Sequence, residues 1–274
     1  MTHVAVTGAT GFIGRHVINV LNSHDVEISA VALPGSTDLP LIKQGKWVYL
    51  NISQPPADAF GAIGKPDILI HLAWQGLPNY QSLHHFETEL LVQFSFLKQL
   101  ILRGLKTLLV TGTCFEYGMQ YGPLSRDFET RPNNPYGLAK DTLRKQLCSL
   151  QKNQSFNLIW SRLFYLFGEG QAESSLLQQL KKAVISGLPK FNMSGGEQLR
   201  DYLPVTEAAD QIVRLALKQQ NTGPVNICSG KPVSVRRLVE GWIRENHWNI
   251  ELNLGYYPYL DFEPLAFWGV PDQL

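Results

Sequence analysis

Tyr136-Gly137-Leu138-Ala139-Lys140 sets a phenol and an ammonium four residues apart. On a helix that spacing is about one turn, so both side chains lie on one face. A free phenol has a pKa of about 10 and exchanges its proton poorly at neutral pH. A neighbouring positive charge favours the phenolate, lowers that value and suits the phenol to proton transfer. The same pattern arises by chance on solvated helices, so its meaning depends on what the chain places around it.

The N-terminus supplies the first partner. Thr7-Gly8-Ala9-Thr10-Gly11-Phe12-Ile13-Gly14 joins an apolar strand at 4–7 to a helix with Phe12, Ile13, Val17, Ile18 and Leu21 on its apolar side. Gly8 permits the tight turn, Gly11 lets a pyrophosphate approach the backbone, and Gly14 lets helix and strand pack closely. The free N–H groups at the helix start then face the phosphates. Between a strand and a helix, the turn reads as a dinucleotide-binding loop.

The elements that must position these residues alternate. Strands are predicted at 27–33, 47–50, 68–72, 107–111 and 158–163, with helices at about 83–103 and 135–151 between them. Strands that are apolar throughout, alternating with helices, specify a parallel sheet covered on both faces. The class is α/β, a Rossmann-like doubly wound sheet over residues 1–168. Beyond residue 168 the rhythm changes. Helices are expected at 174–186 and 206–218, a strand at 225–227, and a helix capped by Ser234. This part, 169–274, reads mainly as a smaller substrate-binding lobe, with 203–228 returning to the sheet. The tail from Tyr256 is rich in proline and aromatics and has no period.

Composition sets outer limits. Of 274 residues 44% are hydrophobic and the net charge is +1, so nothing points to nucleic acid or an anionic membrane. Cys114, Cys148 and Cys228 are far apart and odd in number, which suits a reducing compartment. Neither a signal-peptide pattern nor a membrane-spanning run is present in the sequence, and the expected location is cytoplasmic. No His/Cys/Asp cluster has the spacing of a metal site.

The Gly-x-x-Gly-x-x-Gly turn followed by Tyr136-x-x-x-Lys140 resembles the short-chain dehydrogenase/reductase family. The chain length and second lobe are similar to its extended, epimerase/dehydratase branch. Four further stretches carry the resemblance: His71-Leu72-Ala73, Thr111-Gly112-Thr113-Cys114-Phe115-Glu116-Tyr117-Gly118, residues 161–168 and residues 195–202. The second and fourth look most like bacterial 4-keto-6-deoxy-sugar-nucleotide reductases, which serve polysaccharide synthesis.

The resemblance implies roles. Thr113, Tyr136 and Lys140 would be the catalytic group: Thr113 bonds the substrate oxygen, Tyr136 exchanges its proton, and Lys140 lowers the phenol pKa and binds the nicotinamide ribose. Gly8, Thr10, Gly11, Phe12, Ile13, Gly14, Arg15, Asn51, Leu72 and Ala73 would line the cofactor, together with Tyr136 and Lys140. Thr113, Cys114, Tyr165 and Arg200 would meet the nucleotide sugar, Arg200 forking onto its diphosphate; the alternative for Arg200 is a surface pair with Asp201. The family's dehydratases carry an acid pair after the threonine. Cys114-Phe115 stand there, which leaves ketone reduction or, as alternative, 4-epimerisation; Cys114 reads otherwise as a small buried residue and Glu116 as structural. Another class, a non-catalytic redox sensor, is disfavoured by retention of the three catalytic residues. Neither an acid for NAD nor an arginine for NADP stands at 31–36, and Arg15 tips the expectation to NADP(H) over NAD(H). His71 reads as structural, His84 and His85 as exposed. Phe86, Leu90, Phe94 and Leu97 form a helical stripe, for pairing with a second copy through a helix pair or for ordinary core.

Overall fold

The computed structural model describes residues 1–259, 261 and 263–272. Four tail residues, Leu260, Phe262, Gln273 and Leu274, therefore lie outside the described residues. In chain order the first half runs β1 (Thr2–Thr7), α1 (Phe12–Leu21), β2 (Val26–Ala32), β3 (Gly45–Tyr49), α2 (Ala59–Ala62) and β4 (Ile68–His71). A π-helical turn (His85–Glu89) leads into α3 (Leu90–Leu102), then come β5 (Thr107–Thr113), a 3₁₀ turn (Cys114–Tyr117), β6 (Gly122–Leu124), α4 (Pro135–Leu150) and β7 (Asn157–Leu163). The second half adds β8 (Tyr165–Phe167), α5 (Leu176–Ile185), β9 (Lys190–Asn192), β10 (Leu199–Pro204), α6 (Val205–Lys218) and β11 (Gly223–Ile227). It ends with β12 (Pro232–Ser234), α7 (Val235–Glu245), β13 (Glu251–Asn253) and β14 (Phe267–Gly269).

Seven parallel strands form one sheet in the order β11-β7-β5-β4-β1-β2-β3. The strand order reverses at β1, which has β2 on one side and β4 on the other, so the crevice of a doubly wound sheet opens at Thr7 and His71. Alternation along β1 shows why both faces are covered. Val4 and Val6 join the core under α1 and α6, with Ile18, Leu21 and Ile212. Ala5 faces the opposite core, with Leu97, Leu100, Leu143 and Trp160. The second lobe has its own core of Leu180, Phe191, Val239 and Trp242. A small sheet, β12-β10-β8, links the two parts, because β8 follows directly on β7.

Some elements depart from expectation. The helix expected from residue 83 starts as the π turn, and the aperiodic tail contributes β14, which pairs with β6. Within the stripe on α3, Leu90 and Leu97 are buried and Phe86 and Phe94 pack against the same core, so these side chains serve the core.

One buried ion pair ties the sheet to the 3₁₀ turn. Glu116 accepts from Arg162 Nε at 2.7 Å and from Trp160 Nε1 at 2.9 Å, both on β7. Its Oε1 also accepts from the Thr113 backbone N–H at 2.9 Å, closing a capping box on the turn. The pair is 0% and 2% exposed on its side chains. Removing one member of such a pair leaves a buried charge uncompensated, at a cost of about 3–5 kcal/mol. Glu116→Gln is therefore expected to lower the unfolding free energy in urea by about that amount, and a near wild-type midpoint would show that Arg162 finds another partner.

Candidate active site

The crevice at the end of β1 is shaped by missing side chains. Gly8 has φ +70°, and a Cβ on it would lie 2.8 Å from the Ala73 backbone nitrogen. A Cβ on Gly14 would collide with the Gly8 carbonyl oxygen. Gly11 caps α1 with no side-chain hydrogen bond, so the first N–H groups of the helix remain free to meet an anion. A cleft of about 220 Å³ continues from here, lined by Thr7, Gly8, Thr10, Gly11, Leu33, Leu50, Leu72, Ala73 and Trp74. A close backbone cradle and an apolar slot between β1, β2 and β4 fit a dinucleotide. Asn51 follows Leu50 past β3 and is half-buried; its side chain accepts from the Ser53 N–H. Arg15, exposed for about a third of its side chain, pairs with Asp38 at 2.9 Å.

Thr113, Tyr136 and Lys140 come together on the other side of the crevice. Thr113 ends β5, and its hydroxyl accepts from the Phe115 N–H at 3.3 Å. Tyr136 opens α4, where Pro135 occupies the first turn and Asn134 caps by accepting from the Gly137 N–H at 2.8 Å. A Cβ on Gly137 would stand 2.6 Å from the Phe115 carbonyl oxygen, so glycine there lets α4 approach the 3₁₀ turn and brings the phenol to Thr113. Lys140, one turn later, is buried and donates to the Thr111 carbonyl at 2.9 Å.

The electrostatics differ from the expectation that Lys140 lowers the Tyr136 pKa. Burial pushes the Tyr136 phenol up, and Tyr80, Glu116 and Cys114 push the same way; only the Thr113 hydroxyl opposes them. Lys140 is not aimed at the phenol: its Nζ lies 5.9 Å from the Tyr136 ring centroid and 3.9 Å from that of Trp74. Burial lowers the lysine to about 7, against the charges of Glu116 and Glu89. The site therefore holds a neutral phenol beside a lysine that titrates near neutrality. Burial also pushes the Cys114 thiol up, so it is no nucleophile at neutral pH.

A cavity of about 240 Å³ opens on Thr113 and Tyr136, walled by Phe12, Ile13, Leu77, Tyr80, Cys114, Phe115, Tyr165 and Gln171. It shares Tyr165 with a second cavity of about 290 Å³ between the lobes, lined by Phe191, Met193, Gln198, Arg200, Tyr202, Tyr259 and Glu263. Arg200 and Tyr165 sit on neighbouring strands, β10 and β8. Arg200 is buried, and Arg200 and Tyr165 both donate to Glu263 Oε2, at 2.9 and 2.8 Å. The surface pairing with Asp201 does not form. Asp201 instead accepts from the backbone of Ser229, Gly230 and Gly269. Tyr202 packs on Tyr165 at 5.4 Å between ring centroids.

Of the histidines, His71 is as expected and His85 is not. His71 is structural: its Nδ1 meets the Thr7 hydroxyl at 2.8 Å and its Nε2 the Gln93 Oε1 at 2.7 Å, and burial lowers it to about 3. His85 is fully buried against the Tyr136 ring rather than exposed, because the π turn inserts a residue and rotates the face it presents. His84 is half-exposed, 3.8 Å from the buried Glu89. The motifs gave no signal for Trp74, Tyr80, Gln171 and Glu263. Trp74 alone had a cue, since it follows directly on Leu72-Ala73. Gln171 donates to the Leu166 carbonyl at 2.9 Å while its buried Oε1 has no partner.

This geometry agrees with a family model, "NAD dependent epimerase/dehydratase family", that matches residues 4–228. The chain belongs to that family. It is an enzyme of the extended short-chain dehydrogenase/reductase type, as its motifs imply. Among its relatives, dTDP-6-deoxy-L-talose 4-dehydrogenase (NAD(+)) of Aggregatibacter actinomycetemcomitans is 28% identical over 269 residues, covering 97% of this chain and 99% of that protein. UDP-arabinose 4-epimerase 1 of Arabidopsis thaliana is 24% identical, over 94% of this chain and 70% of its own. MoeE5 in complex with UDP-glucuronic acid and NAD superimposes with a TM-score of 0.83 at 22% identity, over 99% of this chain and 90% of its own, which shows the shared fold. Among the described residues no group of three or more His, Cys, Asp or Glu could hold a metal ion, and no helix is long and apolar enough to cross a membrane.

Lys140 also makes stability depend on pH. The unfolded chain protonates it near 10.5 and the folded protein only near 7, so between those values the unfolded state binds more protons. Folding stability contributed by this group is thus present above 10.5, falls as pH drops, and is gone below about 7. Relative to Lys140→Met, the wild-type urea midpoint should rise from pH 7 to pH 10, whereas parallel curves would mean that the lysine is solvated in the folded state.

Proposed function

We propose that the protein reduces the 4-keto group of a nucleotide-linked deoxy sugar. The observation that carries this reading is a neutral, buried phenol that shares one cavity with Thr113, with a thiol and a phenyl ring, Cys114 and Phe115, where an eliminating enzyme needs acids. The full-length relative named as a dTDP-6-deoxy-L-talose 4-dehydrogenase supports the choice of sugar and carbon. Such sugars enter polysaccharide synthesis.

A nicotinamide dinucleotide bound in the crevice supplies the hydride. The chain's own residues do the rest. The sugar lies in the cavity beside Phe115 and Tyr80, its ketone oxygen between the hydroxyls of Thr113 and Tyr136. Both donate to that oxygen as negative charge develops on it. As the carbon takes up hydride, Tyr136 gives its proton to the oxygen and the ketone becomes an alcohol. The ammonium of Lys140, 5.9 Å from the ring centroid, is the positive charge on that wall of the site when the phenolate forms. Past Tyr165, Arg200 meets the diphosphate and exchanges Glu263 for it.

The Asp38–Arg15 pair bears on the cofactor. The expectation of NADP(H) rested on the missing acid and on Arg15, and Asp38 pairs with that arginine. We therefore favour NAD(H), which the relative's name also supports. Asp38→Asn should raise the NADPH:NADH ratio of kcat/KM by about fivefold, the scale of an exposed ion pair; wild-type preference for NADPH would refute this assignment.

Tyr136→Phe should lower kcat for ketone reduction by about 10³-fold while leaving dinucleotide binding intact. Wild-type protein should consume one NADH per alcohol formed from a 4-keto-6-deoxy sugar nucleotide. Interconversion of C4 epimers with no net cofactor consumption would establish the 4-epimerase instead.

A further inference from the structure

Trp74 lies in none of the motifs, yet it touches the catalytic lysine, the catalytic tyrosine and the cofactor cleft. The Lys140 Nζ stands 3.9 Å from its ring centroid, and the ring meets Tyr136 edge-on at 6.0 Å. Its indole N–H donates to His85 Nδ1 at 3.1 Å. The Nε2 of His85 lies 2.8 Å from the Asn79 carbonyl oxygen, an acceptor only, so the imidazole is the Nε2–H tautomer with Nδ1 free to accept. The same imidazole packs against Tyr136 at 5.2 Å between ring centroids. The indole is thus fixed at its edge, and its face is left to the ammonium.

We propose that Trp74, locked by His85, is a positioning residue that seats the Lys140 ammonium on its indole face and fixes it relative to Tyr136. The proposal rests on the reading of Lys140 and Tyr136 given above. A desolvated ammonium needs negative potential close by. From β5 it has the Thr111 carbonyl, at 2.9 Å. Glu116 of the 3₁₀ turn and Glu89 of the π turn act from further off, one bonded to Arg162 and the other to Gln93. His71 of β4 and His85 are pushed toward their neutral forms by burial first and then by the lysine, and Tyr136 on its own helix is neutral. The indole face is therefore, with the Thr111 carbonyl, the direct counterpart of the charge. A ring quadrupole facing a buried cation contributes enough to move its titration by about one pH unit.

The test reads Lys140 itself. In protein labelled with ¹³Cε-lysine, the Lys140 signal, assigned by its loss in Lys140→Arg, is titrated. Trp74→Leu keeps an apolar neighbour without the quadrupole and should lower the midpoint by about one unit, and Trp74→Phe should restore most of it. In case Trp74→Leu does not fold, the six tryptophans of the chain can be replaced biosynthetically by mono- and difluorotryptophan, which drain the ring face without altering its shape. The midpoint should then fall stepwise. A midpoint that none of these changes overturns the seat. The basic limb of kcat/KM for ketone reduction should shift by the same amount as the midpoint; a shifted midpoint with an unmoved limb overturns the catalytic part of the proposal. Wild-type protein that turns over no nucleotide keto sugar sinks the functional reading instead, while the titration still decides the seat.

Discussion

The Glu116 carboxylate is the interaction on which the site's geometry rests. It is fully buried, and its oxygens are shared among the Thr113 backbone, Trp160 and Arg162. A Cβ at Gly112 would run into both Trp160 Nε1 and Glu116 Oε1, so the strand, the indole and the carboxylate have room only because that residue is glycine. The carboxylate fixes where β5 ends and the 3₁₀ turn begins, and thus where Thr113 presents its hydroxyl. Its charge also reaches the two groups beside Thr113: it favours the ammonium of Lys140 and disfavours the phenolate of Tyr136. One buried anion therefore holds the backbone in place and, after burial itself, bears on the resting protonation of both Lys140 and Tyr136.

Substrate placement rests on a second constraint, the register between β8 and β10. These strands pair in parallel, Tyr202 opposite Tyr165, so Tyr165 from the sheet side and Arg200 from the second lobe reach the same cavity. β8 is separated from β7 by Phe164 alone, and β7 carries Trp160 and Arg162. The end that would grip a diphosphate is thus rigidly connected, through β7, to the Glu116 cluster at the end that would reduce the ketone. Glu263 completes this arrangement, since its oxygen accepts from both Arg200 and Tyr165. Two anions would compete for one guanidinium when a diphosphate arrives.

Much of this was legible in the sequence because it depends on local rules. Gly8 and Gly14 announce a turn that no Cβ fits, the Tyr136–Lys140 spacing announces a shared helical face, and Ser234 announces a cap that forms as expected by accepting from the Arg237 N–H at 3.3 Å. What was not legible depends on tertiary distance or on irregular geometry. Glu263 lies 63 residues from Arg200, so no spacing rule links them. His85 read as exposed because an α-helical register was assumed where a π turn intervenes, and that extra residue is what turns His85 and Glu89 inward. Trp74 gave no signal because an indole carries no charge; its contact with the ammonium shows only once Lys140 is found above its face. The assumption that Lys140 acts on the phenol directly failed for the same reason, since a lysine stem four residues along a helix reaches several partners and here it meets Trp74 and the Thr111 carbonyl more closely.

The resting charges give the site a direction. A ketone reductase must give a proton to the substrate oxygen once per turnover, and a 4-epimerase must take that proton and return it within one residence of the sugar. Tyr136 is neutral in its buried setting among Tyr80, Phe115 and Trp74, and every neighbour except Thr113 that bears on its titration opposes the phenolate. Such a phenol holds at rest the proton that a reduction consumes, whereas it must first lose that proton to act as a base. Taking a proton from an alcohol first requires the phenolate, and Lys140, its Nζ 5.9 Å from the ring centroid, is not among the groups that favour it. A site that begins by giving up a proton has no such requirement. The phenolate forms only after the transfer, and solvent can restore it before the next sugar binds. The ammonium of Lys140 bears equally on the phenolate whichever way the proton moves, so it is the resting phenol, not the lysine, that makes proton donation the first step this arrangement of residues favours.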